Sequence, residues 1–139
     1  MIVPLSRIAD ALEAVSDTIS AHLNIRTGEV VILTEFDDVE VGIDVPDVES
    51  DDFLTLPDYF EIDSYRILGS FCSQVPDPRA REKLLGAIQG RGAFGRFRVL
   101  ADVFGLTTAW YEYRHRELER IAADWCTANG IEFSTGPER

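Results

Sequence analysis

The chain has 139 residues, 45% of them apolar and 10% aromatic, and a net charge of −12. That length suits a single hydrophobic core, and the composition excludes a disordered chain. No run approaches the roughly 18 apolar residues of a membrane-crossing helix, and no basic-then-apolar leader opens the sequence, so a cytoplasmic protein with no membrane partner is expected.

Ser6 is placed to cap a helix over about residues 6–16, with Ile8, Leu12 and Val15 on one face. The period then changes. Ile19, Ala21, Leu23 and Ile25 alternate with Thr18, Ser20, His22 and Asn24, which predicts a half-buried strand. On that alternation His22 falls on the polar, solvent-facing side. Gly28 suits a turn, and residues 30–34 return as the second strand of a hairpin. Residues 35–52 hold nine acids, with Val39, Val41, Ile43 and Val45 alternating among them. A third strand with a charged face fits this stretch, and so does a solvated acidic loop, which is the simpler reading. Its acid spacing and glycine position do not meet the EF-hand pattern. Residues 53–56, closed by Pro57, read as a short strand or a docked segment.

From residue 63 the pattern is helical. Asp63 caps a helix carrying Tyr65, Leu68, Phe71, Cys72 and Val75, ended by Pro76. Asp77 caps the next, with Pro78 at its first position, where a missing N–H costs nothing, and Gly90 closes it after Gln89. A third helix is predicted over about 93–104 and a fourth over about 107–128, each closed by glycine. Ile131, Glu132 and Phe133 add a short strand, and residues 134–139 form a loose tail.

Charge divides along the same line. Residues 1–65 hold 16 Asp/Glu against Arg7 and Arg26, a net −14; residues 66–139 hold 11 Lys/Arg against 9 Asp/Glu, a net +2.

One stretch concentrates unusual residues: Gly90, Arg91, Gly92, Ala93, Phe94, Gly95, Arg96, Phe97 and Arg98. A helix beginning near Ala93 leaves its first N–H groups without partners. Gly90 and Gly92 let the backbone approach a ligand, and Arg91, Arg96 and Arg98 supply charge and forked hydrogen bonds. Trp110, Tyr111 and Arg114 on the next helix add rings and charge suited to stacking on a base. A phosphate-bearing ligand or a nucleic acid fits this set. The competing reading is structural and simpler. Here the glycines close one helix and clear the next, the phenylalanines are core, and the arginines pair with carboxylates of the first half. The spacing matches neither the phosphate loop nor the dinucleotide fingerprint.

Other chemistry has less support. His22 and His115 sit in no Cys/His ligand pattern, so no metal or cofactor is expected. His115 reads as solvated, and Cys72 and Cys126 read as buried small hydrophobes. Trp110 and Trp125 are read first as core anchors.

The segments Thr27-Gly28-Glu29-Val30-Val31 and Leu56-Pro57, the block from Ala87 to Phe97, Trp110-Tyr111 and Trp125-Cys126 with Asn129-Gly130-Ile131 together resemble the bacterial Uncharacterised Protein Family zero-one-five-eight. The resemblance implies a small cytoplasmic protein and no particular activity. It also implies arginine as the commoner residue at the position of Gly95, which thins any basic site here.

The expectation is an α+β domain spanning 1–139. An N-terminal helix and a small antiparallel sheet (1–62, acidic) precede a helical bundle packed on it (63–133). The leading functional reading is a non-enzymatic binding protein with an anion site at Gly90, Arg91, Gly92, Arg96, Arg98, Trp110, Tyr111 and Arg114. The alternative is an interaction module whose acidic half binds a basic protein, and an enzyme ranks third.

Overall fold

The structure, a computed structural model, describes residues 1–34 and 48–135. The chain gathers into two compact units: Met1–Ile62 together with Leu118–Arg139, and Asp63–Glu117. We call them the sheet unit and the helical unit. Charge separates between them. The helical unit holds 9 Lys/Arg against 6 Asp/Glu, a net +3, and the sheet unit 4 against 19, a net −15.

In the sheet unit, β1 (Val3–Pro4) leads into α1 (Leu5–Ala14). β2 (Ile19–Asn24) lies between β3 (Val30–Thr34) and β4 (Phe53–Thr55), antiparallel to both. The alternation read from the sequence sets the faces. Ala21 and Leu23 are buried, as are Ile8 and Leu12 of α1, which packs on β2 and β3. Leu23, Ile8 and Leu12 each contribute about 1.5–3 kcal/mol by this burial. α2 (Tyr59–Ile62) is a single turn that the sequence pattern did not suggest. A parallel pair closes the unit, with Val3 of β1 opposite Phe133 of β5 (Phe133–Ser134). The end strand therefore lies slightly later than residues 131–133.

The helical unit contains α3 (Ser64–Ser73), α4 (Pro78–Ala87), α5 (Ala93–Val103) and the first part of α6 (Thr107–Ala128). Phe71, Phe97 and Trp110 meet edge to face at its centre, with ring centroids 5.1–5.9 Å apart. This geometry favours aromatic rings beyond their area burial. The rest of α6 belongs to the sheet unit and buries Leu118, Ala122 and Cys126 at helical spacing.

The α+β class matches the expectation: an N-terminal helix, a small antiparallel sheet and several helices. Local details differ. Ser6 does not cap α1. Pro4 occupies that position with no side-chain hydrogen bond, and the buried Ser6 hydroxyl finds no partner. Proline already supplies the extended backbone that a helix entrance needs. Val75 is buried just past the end of α3. Asp63 and Asp77 do cap their helices, accepting from the N–H groups of Arg66 and Arg79. The proposed acidic strand or loop lies outside the described residues from 35 to 47. Among the described residues no helix is long and apolar enough to cross a membrane.

Candidate functional site

The loop between α4 and α5 is built around Arg96. Its Nε donates to the Ala87 carbonyl at 2.7 Å, Nη2 to Gln89 at 2.6 Å and Nη1 to Arg91 at 2.6 Å. Gly90 and Gly92 have φ of +74° and +78°, a backbone region that side chains make costly. Those two left-handed residues let the carbonyls of Gln89 and Arg91 face one guanidinium. The adjacent Ile88 carbonyl accepts from the Tyr65 hydroxyl at 2.7 Å. The Ala87 and Ile88 carbonyls at the end of α4 are thus satisfied from α5 and α3.

Arg96 therefore binds backbone oxygens, and not the carboxylates that the structural reading assigned to it. Three of its five N–H donors are used, and the side chain is still exposed. A Cβ at Gly92 would meet Arg96 Nη1 at 3.0 Å, so the guanidinium lies against the start of α5. That helix start is also the positive end of the helix dipole. It has no side-chain cap and no acid in its first turn. Two positive features thus lie together, and the sequence from Lys83 to Ala101 holds no Asp or Glu.

Apart from Arg91, which belongs to the loop, the remaining sequence-predicted residues do not converge on it. Arg91 is exposed there. Arg98 is exposed on α5 but two residues from Arg96, and positions two apart on a helix do not face each other. Trp110 is 7% exposed inside the ring cluster and offers no stacking face, in line with its reading as a core anchor. Tyr111 is exposed on α6. Arg114 is half-buried and already engaged, and so is His115, which is not simply solvated as expected.

Sequence reasoning missed a second place, in the sheet unit. His22 was expected on a solvent-facing edge, yet it is 7% exposed. Its Nε2 lies 2.8 Å from Ser20 Oγ and its Nδ1 lies 3.1 Å from Thr55 Oγ1. The cause is tertiary: β4 sets Thr55 opposite His22, and both residues line a cleft of about 790 Å³. Burial lowers the imidazole pKa from its usual value, because desolvation disfavours the charged ring. The alternation identified this face correctly; nothing local marked β4 as its cover.

Among the described residues no group of three or more His, Cys, Asp and Glu could hold a metal ion. The thiols are buried, Cys72 in the helical unit and Cys126 in the sheet unit. Burial pushes Cys72 up to about 11, partly offset by a backbone hydrogen bond, and raises Cys126 as well. Neither has the depressed pKa of a nucleophile.

A profile of the family described as "Uncharacterised protein family (UPF0158)" matches residues 1–137. The chain belongs to that family. A UPF0158 protein of Pseudomonas aeruginosa is 27% identical over 133 residues, covering 93% of this chain and 86% of the relative. No solved structure matches the chain. Membership of UPF0158 thus carries no assigned activity, and the functional question rests on the two sites.

Proposed function

We propose that this UPF0158 protein is a binding protein whose α4–α5 loop holds a phosphate group. One observation carries the reading: the Arg96 guanidinium lies against the uncapped start of α5, whose first turn holds no acid. An anion there would meet backbone N–H groups of the first turn, the unspent N–H groups of Arg96, and Arg91. The helix start contributes about 0.3–1 kcal/mol and each charge-assisted hydrogen bond about 1.5–3 kcal/mol before association costs. A lone phosphate is therefore bound weakly. A ligand that also reaches Arg98, such as a nucleic-acid strand, gains a second contact on α5. Trp110 and Arg114 drop out of the ligand set, since the first is core and the second is engaged elsewhere.

The test is calorimetric titration with inorganic phosphate, a nucleoside triphosphate and short RNA, at low salt and at physiological salt. Binding should weaken as salt shortens the screening length to about 8 Å. Arg91→Ala should remove binding of all three ligands with no loss of stability. Arg98→Ala should weaken only the RNA. Absence of binding by any phosphate ligand, or binding indifferent to Arg91→Ala, rejects the reading.

A further inference from the structure

The cleft over His22 is a second candidate site, independent of the anion reading and opposite to it in charge. Its walls are residues 16–20, Leu33, Thr34, Val48, Glu49 and residues 55–60. At about 790 Å³ it falls within the usual range of roughly 300–1,000 Å³ for ligand pockets. The groove of about 230 Å³ beside Phe71 and Tyr113 falls below it.

The lining selects against anions. Among the described residues it contains no Lys or Arg, and its ionisable groups besides His22 and Tyr59 are carboxylic acids: Asp17, Glu49 and Asp58. The hydroxyls of Ser16, Thr18, Ser20, Thr34 and Thr55 make the remaining polar surface. Two aromatic rings complete it. Tyr59 and Phe60 have centroids 4.1 Å apart, and Phe60 is 75% exposed although it lines the cleft. Exposed ring faces beside carboxylates, with no competing cation, are the surroundings that attract an ammonium or guanidinium. The net −15 of the sheet unit raises the local concentration of such ligands.

We propose that this cleft binds a ligand carrying an ammonium or guanidinium group, with the Tyr59–Phe60 rings as its platform and the Asp17 and Asp58 carboxylates as counter-charges. The group can come from a free polyamine or from a Lys or Arg side chain of a peptide; the recognising chemistry is the same. The second source gives the acidic half the kind of partner expected of it from sequence, and gives that partner a place to bind.

The experiment titrates the ¹⁵N-labelled full chain with spermidine, with an arginine-rich peptide and with sorbitol as the uncharged control, reading amide shifts. Saturable shifts at Ser20, His22, Thr55 and Phe60 with spermidine, the peptide or both support the proposal, and the ligand that gives them identifies the source. Phe60→Ala should weaken binding about two- to five-fold, the range expected of an exposed cation–π contact. That variant leaves the net charge at −12, so its effect separates the rings from general attraction to an acidic protein. Asp17→Asn should weaken binding further, and Arg91→Ala should leave it unchanged, which keeps this test apart from that of the phosphate site. Shifts from neither cation, equal shifts from sorbitol, or binding unaltered in Phe60→Ala overturn the proposal.

Discussion

The helix starts and the Arg96 loop of the helical unit are fixed by neighbours in sequence, the cleft and the closing strand pair of the sheet unit by residues far apart. In the helical unit, Asp63 and Asp77 cap the helices they precede, and Arg96 closes a loop only five to nine residues away. In the sheet unit, His22 depends on Thr55, 33 residues on, and Val3 pairs with Phe133. The contrast extends to polarity. The loop of the helical unit turns three carbonyls inward on its own cation, whereas the sheet unit leaves carboxylates and rings around an open cleft. Where a charge is already answered by its own backbone, its first role is architectural.

The largest test of this division is Phe97→Ala, which removes the ring packed on Phe71 and Trp110 and should cost about 3–5 kcal/mol. Each unit carries one buried cysteine, so thiol labelling reads them separately. The variant should speed labelling of Cys72 more than of Cys126. Equal acceleration would mean that the two units open as one.

Arg96→Ala comes next. Loss of three charge-assisted bonds at an exposed position should cost about 1–3 kcal/mol by chemical denaturation, and Arg98→Ala should stay within about 0.5 kcal/mol. Arg96→Lys should recover little, because an ammonium cannot reproduce the planar fork. Equal effects of Arg96→Ala and Arg98→Ala would remove the architectural role.

The sheet unit has its own probe in pH. A folded His22 pKa below the unfolded value of about 6.5 gives stability that is complete above that value and lost as pH falls through it. The slope for one proton is at most about 1.4 kcal/mol per pH unit. His22→Gln should flatten that part of the profile, while the helical-unit variants should leave it in place. Tyr65→Phe should cost about 0.5–1.5 kcal/mol for one hydrogen bond to the Ile88 carbonyl, less than Arg96→Ala, read by the same chemical denaturation.

The same contrast explains what could be read in advance. The helix limits at Asp63, Pro78, Gly90, Gly105 and Gly130 were legible because caps, proline and glycine act on their own backbone within a turn. The loop was legible as a concentration of glycine and arginine. The part played by each arginine was not, because composition does not say which guanidinium folds back onto carbonyls. Trp110 and Arg114 shared the chemistry of a stacking site, but a helix face placed one in the core and the other with a partner. His22 was misread because strand alternation gives the face of a residue and says nothing of what covers that face. Thr55 reaches it only through the register of β4, and register is a tertiary property. Ser6 was misread as a cap because proline at position 4 had already set the helix entrance.

The pairing of Val3 with Phe133 also bears on the order in which the protein comes together as it is made. Synthesis at roughly 5–20 residues per second puts about 7–25 s between the emergence of the two strands. The helical unit, drawn from one continuous stretch, can form while β1 still waits. Over that interval the sheet unit lacks about its last quarter, which carries the buried Leu118, Ala122 and Cys126. A nascent chain stalled before residue 118 should therefore leave Val3 and Pro4 without their strand partner while the Arg96 loop is already closed.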